Sequence, residues 1–156
     1  MQEYLDLLKG LNSEGVRYVV IGGFASVLHG TASVTFDLDI AIALDDKNGA
    51  ALIRALAPFH PFPPQFVSEK NFVWDERSLS GAVMTLITDV GKVDLLRVLP
   101  EIESFDALFE RGEARVIDGI RFKIAAIDDL ITMKGAAGRP KDIEHIQQLK
   151  ALKELD

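Results

Sequence analysis

The sequence contains no cysteine, and this absence excludes several classes of protein. A chain without cysteine has no disulfide scaffold, no thiolate metal site and no cysteine nucleophile. The lack of disulfide chemistry fits the reducing cytoplasm, so we expect a cytoplasmic protein. The 156 residues, of which 48% are hydrophobic, predict one folded domain with a core of its own.

Basic charge and long apolar runs are scarce as well. The 17 Lys and Arg residues are outnumbered by 24 Asp and Glu, which gives a net charge of −7 at pH 7. This balance excludes a broad basic surface that holds duplex nucleic acid regardless of its sequence. The most apolar run, residues 18–28, contains two glycines and is too short to cross a bilayer. Because the first ten residues carry acids and no leading basic region, neither a signal peptide nor a membrane partner is predicted.

What the chain does contain is a hydrophobic pattern that changes repeatedly between helical and strand spacing. We expect a single α/β (α+β) domain over residues 1–156, with its core in about 1–125 and two helices in about 126–156. The predicted helices are Tyr4–Leu11, Phe24–His29, Lys47–Ala57, Ser104–Arg111, Ile127–Ala137 and a last helix from Pro140. The predicted strands are Val16–Ile21, Phe36–Leu44, Val83–Thr88, Lys92–Leu99, Val116–Ile117 and Ile120–Ile124. The last helix is expected to present one apolar stripe, formed by Ile143, Ile146, Leu149 and Leu152.

The strongest candidate site is a pair of acids on the predicted strand 36–44. Asp37 and Asp39 are two residues apart, so they face the same way on a strand, about 6.5 to 7 Å apart at their Cα atoms. Carboxylates at this spacing can share one hard cation such as Mg²⁺. The alternative to a cation site is that both acids simply lie on a solvent-exposed face of the strand. That face continues with Ala41 and Ala43, which leave room and add no polar group, so the pair favours a cation site.

Two glycines, Gly22 and Gly23, lie between a predicted strand and a predicted helix. In this arrangement backbone N–H groups and a helix N-terminus can approach a phosphate. A tight turn alone also explains the pair. Ser26 lies one turn further along the helix, where its hydroxyl either adds a phosphate contact or is an ordinary exposed group.

These residues together resemble the nucleotidyltransferases of the DNA polymerase beta-like superfamily. Residues 19–25, the pair His29-Gly30 and residues 35–40 match the hG[GS]…DxD signature, with about a dozen residues between Gly-Gly and the first Asp. Within the superfamily the closer resemblance is to the minimal bacterial group that includes AbiEii-like toxin nucleotidyltransferases. That group carries a helical lysine followed by an R-P-K-D-like segment, and Lys134 and residues 139–142 are similar.

The resemblance implies a fold, a reaction and a set of site residues. The fold is the nucleotidyltransferase fold, a mixed β-sheet flanked by helices with a C-terminal helical pair. The reaction is transfer of a nucleoside monophosphate from an NTP to an acceptor hydroxyl, with Mg²⁺ or Mn²⁺ as cofactor. The implied catalytic residues are Asp37, Asp39, Asp94 and Lys134, of which the three acids would also hold the metal. The implied nucleotide-binding residues are Gly22, Gly23, Ser26, Thr35, Lys134, Arg139, Lys141 and Asp142.

Several of these assignments have a structural alternative. Asp94 is chosen as the third acid because it is a lone charge in an apolar predicted strand, where an unpaired charge is costly. It is otherwise a surface acid on an edge strand, and Asp89 is then the second choice. Lys134 is either solvated or, given its apolar helix neighbours, a cation for a triphosphate oxygen. Asp142 lies in the first turn of the last helix, where its charge is favourable whatever the function. His29 either caps its own helix or contacts the nucleotide.

The reaction and the partners stay open at this point. Members of the group often carry a basic residue two positions before the Thr or Ser that precedes the first Asp, whereas this chain has Ser33, Val34 and Thr35. Because of this departure at Val34, phosphate binding is either weaker or supplied by Lys134 or Arg139. The rival functions are a non-catalytic nucleotide- or partner-binding module, such as an antitoxin-like subunit, and a metal-dependent phosphodiesterase. The acceptor is an RNA such as tRNA, a protein or a small molecule, and a cognate toxin or antitoxin is a further candidate partner. Five basic residues within 134–153 leave room for a local RNA-binding patch.

Overall fold

Alternating helices and strands build a mixed sheet that is covered by helices. The computed structural model describes residues 1–66 and 71–155, and within these ranges it contains one six-stranded sheet. The helices are α1 (Leu5–Ser13), α2 (Gly22–His29), α3 (Asp46–Leu56), α4 (Phe105–Arg111), α5 (Ile127–Ala137) and α6 (Pro140–Glu154). The strands are β1 (Tyr18–Ile21), β2 (Leu38–Ile42), β3 (Val83–Thr88), β4 (Gly91–Leu96), β5 (Glu113–Ile117) and β6 (Ile120–Ile124). The predicted α/β class, the mixed sheet and the C-terminal helical pair are confirmed.

The strand order brings distant segments of the chain to the middle of the sheet. The order is β3-β4-β2-β1-β6-β5, in which β2 is antiparallel to β1 and parallel to β4. The register aligns Asp39 with Ile21 on one side and with Asp94 on the other. Two acids that are 55 positions apart in the chain therefore become direct neighbours across a strand pair.

Strand β2 differs from the prediction at both of its ends. The alternating pattern predicts a strand over Phe36–Leu44, but the side chains of Phe36 and Leu44 are 77% and 61% exposed and lie beyond it. Ala41 and Ala43 are buried rather than solvated, because β2 is a central strand and α2 packs against it. The strand is therefore covered on both faces, and Asp37 lies just before its first hydrogen-bonded pair.

The last helix also differs from its predicted pattern. Gly138, with a φ of 65°, ends α5 in the left-handed conformation, and Pro140 begins α6, as expected from their residue types. The apolar stripe of α6 is only partly correct, since Leu149 is fully buried but Ile143 is 61% exposed. The first turn of α6 instead turns Asp142 inward, and it is 1% exposed. This turn lines a cavity that also contains charged side chains, rather than the hydrophobic core.

The hydrophobic core lies between the sheet and the helices packed on it. Helix α1 contributes the predicted apolar face, with Leu7, Leu8 and Leu11 fully buried, and each such leucine stabilises the fold by about 1.5 to 3 kcal/mol. Tyr4, in a short 3-10 turn before α1, is also fully buried. Within the described ranges, no helix has both the length and the apolar character needed to cross a membrane.

Candidate active site

A cavity of about 780 Å³ lies at the junction of β1 and α2. Its lining comes from the start of α2, the segment before β2, strands β3 and β4, the helix α5 and the first turns of α6. The structure brings all of the predicted site residues together in this lining: Gly22, Gly23, Ser26, Thr35, Asp37, Asp39, Asp94, Lys134, Arg139, Lys141 and Asp142. The roles assigned to these residues stay predictions, but their convergence on one cavity is a finding of the structure.

The acids of the cavity lie on the sheet. Asp39 and Asp94 are aligned on the parallel strands β2 and β4. Burial, a hydrogen bond with the Asp94 carboxyl and the negative charges of Asp94 and Asp37 together raise the pKa of Asp39 to about 7. Like charges held close together away from water disfavour ionisation, which is why the carboxyl holds its proton more tightly. A cation bound here would remove that repulsion.

Two neighbours of these acids were not predicted. The Lys92 Nζ atom lies 3.5 Å from Oδ2 of Asp37, whose side chain is about half exposed. The Thr85 hydroxyl donates a hydrogen bond of 2.5 Å to Oδ1 of Asp94. The Thr85 contact follows from the β3–β4 pairing, whose register places Thr85 opposite Asp94, whereas the Lys92 contact follows from the pairing of β2 with β4. The predicted strands 83–88 and 92–99 did not indicate these registers or the direction of the side chains.

The two glycines are required by close approach of the neighbouring segments. Gly22 has a φ of 66°, and a Cβ atom at this position would fall on the Asp39 carboxylate. A Cβ atom on Gly23 would lie 2.8 Å from Oγ1 of Thr35. In the described part of the chain no side chain caps the N-terminus of α2, and the buried hydroxyl of Ser26 has no hydrogen-bond partner. This end of the cavity therefore presents unpaired donors, as an anion site requires.

The opposite side of the cavity is cationic and is formed by α5 and α6. Lys134 is partly buried, and this burial lowers its pKa. Its Nζ atom lies 3.4 Å from Nδ1 of His145, a cavity residue that the sequence reasoning missed. His145 follows Asp142 by three positions on α6, and residues at this spacing lie on the same face of a helix. The helical spacing could therefore have predicted that His145 lines the cavity.

Arg139 and Asp142 form a tight pair at the start of α6. The Arg139 Nε atom donates to Oδ2 of Asp142 at 2.8 Å, and its backbone N–H donates to the same oxygen at 3.2 Å. The Arg139 guanidinium beside Asp142 holds the pKa of this carboxyl below its usual range. Asp142 is thus engaged by its own helix terminus, as its first-turn position suggested.

The other two candidates lie elsewhere. Asp89 is exposed in the β3–β4 turn, where its carboxylate is 2.6 Å from Nδ1 of His60. The His29 ring is buried, with Nε2 2.8 Å from the carbonyl oxygen of Ala125 and Nδ1 3.5 Å from Glu113. His29 therefore links the end of α2 to the sheet, and Asp94 is the third acid that reaches the cavity.

The donor set of the cavity fits a hard cation. Within residues 1–66 and 71–155 no three His, Cys, Asp or Glu side chains are grouped as a ready-made metal centre. Mg²⁺, however, is commonly held by one or two carboxylates together with substrate phosphates and water. Asp39 and Asp94 supply two adjacent carboxyls whose repulsion a cation would relieve, and the Thr85 hydroxyl beside Asp94 is a further oxygen atom.

Comparisons with known proteins agree with this geometry. A model of the family described as nucleotidyltransferases of unknown function (DUF6036) matches residues 1–156. The crystal structure of a proposed nucleotidyltransferase from Thermotoga maritima is similar with a TM-score of 0.60 and 19% identity, over 95% of this chain and 89% of that chain. An antigenic nucleotidyltransferase-like protein from Paracoccidioides brasiliensis has a TM-score of 0.49 and 18% identity, over 94% of this chain and 72% of that chain. A comparison with curated proteins found no match.

The structural similarity supports a conclusion about the fold, and the family match supports a conclusion about the family. At 19% identity the Thermotoga maritima structure shows the shared fold alone, which confirms the nucleotidyltransferase fold predicted from the glycine and DxD motifs. The family model covers the sequence from its first residue to its last. The chain therefore belongs to the family of nucleotidyltransferases of unknown function.

Proposed function

We propose that this protein transfers a nucleoside monophosphate from an NTP to an acceptor hydroxyl and releases pyrophosphate. The observation that carries the proposal is the division of one cavity into an acidic side on β2 and β4 and a cationic side on α5 and α6. Asp39 and Asp94 lie on the first side, and Lys134 lies on the second. A triphosphate between the two sides would have its charge offset by Lys134 on one side and, on the other, by a cation that Asp39 and Asp94 would hold.

The phosphate end of the site is supported by hydrogen-bond donors, of which the Thr35 hydroxyl makes one long contact, at 3.4 Å, to the carbonyl oxygen of Asp37. The N–H groups at the start of α2, the buried hydroxyl of Ser26 and the hydroxyl of Thr35 all belong to the cavity lining. Lys134, Arg139 and Lys141 add positive charge from the other side. We assign these groups, with Gly22, Gly23 and Asp142, to nucleotide binding.

The acidic side is assigned to the metal and to the acceptor. Asp39 and Asp94 would hold Mg²⁺ or Mn²⁺, and Asp37 would join them by exchanging its contact with Lys92. When bound, the metal supplies charge neutralisation at the phosphate oxygens and at the attacking hydroxyl. The protein itself has little covalent chemistry to perform, because phosphoryl transfer depends mainly on positioning and charge.

The test is a transfer assay with each of the four α-labelled NTPs, a cell lysate as acceptor source and either Mg²⁺ or EDTA. We expect Mg²⁺-dependent label in one acceptor pool, and separation into RNA, protein and small molecules identifies it. A parallel reaction with γ-labelled NTP should release labelled pyrophosphate and leave the acceptor unlabelled. Release of free NMP without an adduct would instead indicate a phosphodiesterase.

A non-catalytic nucleotide- or partner-binding module is the second candidate. It is favoured by the departure at Ser33 and Val34, where similar sequences often carry a basic residue, and by the contact between Lys92 and Asp37. Calorimetry that detects binding of Mg·NTP by a protein that labels no acceptor would support this candidate over the transferase.

The biological setting is proposed from the sequence resemblance. Lys134 and the segment 139–142, similar to AbiEii-like toxin nucleotidyltransferases, suggest a cytoplasmic toxin–antitoxin role, with tRNA or a protein as acceptor and a cognate toxin or antitoxin as partner. An acceptor pool dominated by small molecules would contradict this setting and would leave the transferase proposal intact.

Lys134→Met is expected to weaken nucleotide binding. The substitution keeps an unbranched side chain of similar length but removes a charge-assisted hydrogen bond worth about 1.5 to 3 kcal/mol, so the KM for NTP should rise about 10-fold to 100-fold. Steady-state transfer at varied NTP measures this change. Lys150→Met, at an exposed position of α6, is the control and should leave KM unchanged. Equal KM values in the two variants would exclude Lys134 from nucleotide binding.

A further inference from the structure

Tyr4 lies outside the cavity but reaches two backbone segments that border it. The side chain is fully buried, and its hydroxyl oxygen is 2.6 Å from the carbonyl oxygen of Phe36 and 2.9 Å from that of Lys92. The hydroxyl has a single proton, so it either donates to one carbonyl oxygen at a time or forms a bifurcated hydrogen bond to both. Burial raises the pKa of Tyr4 to about 12, and the hydroxyl therefore stays protonated at physiological pH.

The two carbonyl groups belong to the segments that carry an ion pair of the site. Phe36 immediately precedes Asp37, and the side chain of Lys92 contacts Asp37 at 3.5 Å. The regular pairing of β2 with β4 starts only at Leu38 and Val93. Asp37 therefore lies beyond the end of that ladder, and the Tyr4 hydroxyl holds the two backbones together at the point where the ladder stops.

The surroundings of Tyr4 are shaped to keep the hydroxyl in place. The ring packs edge-on against Phe24 of α2, with 5.5 Å between the ring centroids. Gly91, with a φ of 140°, leaves the space that the hydroxyl occupies, since a Cβ atom there would fall on the Tyr4 oxygen and lie 2.9 Å from Cζ. Ring packing and the missing side chain at position 91 thus fix the direction of the hydroxyl.

We infer that Tyr4 is a positioning residue, which fixes the backbone before Asp37 against β4 and so sets where the Asp37 carboxylate stands in the cavity. The inference rests on the proposed transferase function only for its effect on the reaction. The anchoring itself is a property of the folded chain and can be measured without any substrate.

The test compares Tyr4→Phe with Tyr18→Phe. Each substitution removes one hydroxyl from a buried tyrosine. The Tyr4 hydroxyl contacts two backbone carbonyls that border the cavity, whereas the Tyr18 hydroxyl donates to Oδ1 of Asn12 at 2.9 Å, away from the cavity. Hydrogen–deuterium exchange of the folded variants measures how firmly the backbone before Asp37 is held against β4. We expect exchange at residues 33–37 to rise about fivefold or more in Tyr4→Phe and to stay at the wild-type level in Tyr18→Phe. Unchanged exchange in Tyr4→Phe would overturn the inference.

The second measurement is transfer kinetics. Because a small misplacement of a reacting group lowers the rate steeply, kcat of Tyr4→Phe should fall about tenfold, while KM for NTP changes less than about twofold. Tyr18→Phe should keep both values. A Tyr4→Phe variant with faster exchange but the kcat of Tyr18→Phe would also overturn the inference.

The two proposals fail in different ways. If the wild-type protein transfers no label from any NTP, the proposed function fails and the exchange comparison alone decides whether Tyr4 anchors the segment before Asp37. If the wild-type protein transfers label and the two tyrosine variants behave alike in both measurements, the inference about Tyr4 fails and the proposed function stands.

Discussion

Asp39→Asn is expected to abolish nucleotide transfer, by a factor on the order of a thousand, and at the same time to stabilise the metal-free protein at pH 8. The loss of activity follows from the proposed role of the carboxylate in holding the metal. The gain in stability follows from the position of the same carboxylate, which is partly buried beside Asp94. One substitution thus tests both the chemistry and the electrostatics of the site.

The sign of the stability effect comes from the pKa of Asp39. Burial and the neighbouring acids raise this pKa from 3.8 to about 7, so the folded state binds the proton more tightly than the unfolded state. As pH rises from about 4 to 7, the unfolded chain loses its proton first, and folding becomes less favourable through this window. Above pH 7 the penalty is complete, and an uncharged asparagine does not incur it.

Urea unfolding of the metal-free proteins at pH 5 and pH 8 measures this effect. One pKa unit corresponds to about 1.4 kcal/mol, so we expect Asp39→Asn to raise the free energy of unfolding at pH 8 by about 1 to 3 kcal/mol, with a smaller gain at pH 5. Asp37→Asn is the matched control. It should also lose transfer, but its half-exposed carboxylate contacts Lys92, so no gain in stability is expected.

A specific outcome would contradict each of the two predictions for Asp39→Asn. Full transfer by both asparagine variants would exclude the proposed metal role of these acids. A lower stability of Asp39→Asn at pH 8 would show that the Asp39 charge is compensated in the folded protein, contrary to the repulsion described for Asp39 and Asp94.

The sequence predicted the parts of the site that depend on neighbours along the chain. The alternation around Asp37 and Asp39, the glycines at the start of α2 and the lysine on α5 are local patterns, and all of these residues line one cavity. Asp94 was preferred over Asp89 because an unpaired charge in an apolar strand is costly, and Asp94 lines the cavity whereas its role there stays a prediction. The α/β class followed from the same local patterns, whereas the nucleotidyltransferase fold followed from the family resemblance of the glycine and DxD motifs.

The parts that were missed depend on contacts between distant segments. The contact of Lys92 with Asp37 requires the register of β2 and β4, and the reach of the Tyr4 hydroxyl requires the packing of the N-terminal turn against both. The exposure of Phe36 has a similar cause, since hydrophobic alternation continues past the point where strand pairing stops. Local periodicity cannot indicate where a strand loses its neighbour.

Gly22→Ala is expected to disrupt the site through the close approach of α2 and β2. At a φ of 66°, any residue other than glycine is strained, by roughly 1 to 2 kcal/mol. The added methyl group would also displace the Asp39 carboxylate, which overlaps the position of the Cβ atom. We therefore expect transfer to fall at least about 100-fold, because the displaced carboxylate no longer holds its position.

Gly15→Ala separates strain from displacement. Gly15 has a φ of 70°, and no described atom lies within 4 Å of a Cβ atom added there. This variant should be destabilised by roughly 1 to 2 kcal/mol from backbone strain alone and should keep full activity. Gly22→Ala should lose about 1 to 3 kcal/mol more, as overpacking commonly costs. Equal losses in the two variants, with transfer retained by Gly22→Ala, would contradict the close approach of Gly22 and Asp39.

A double-mutant cycle assigns the extra loss to Asp39 itself. Asp39→Ala removes the carboxylate that the Gly22→Ala methyl group would displace, so the two substitutions share one cause of instability. Combined, they should destabilise the protein by about 0.5 to 3 kcal/mol less than the sum of their separate effects. Residues 15 and 39 have no such shared contact, and Gly15→Ala with Asp39→Ala should be additive. Additivity in both cycles would mean that the Gly22 methyl group is accommodated without moving Asp39.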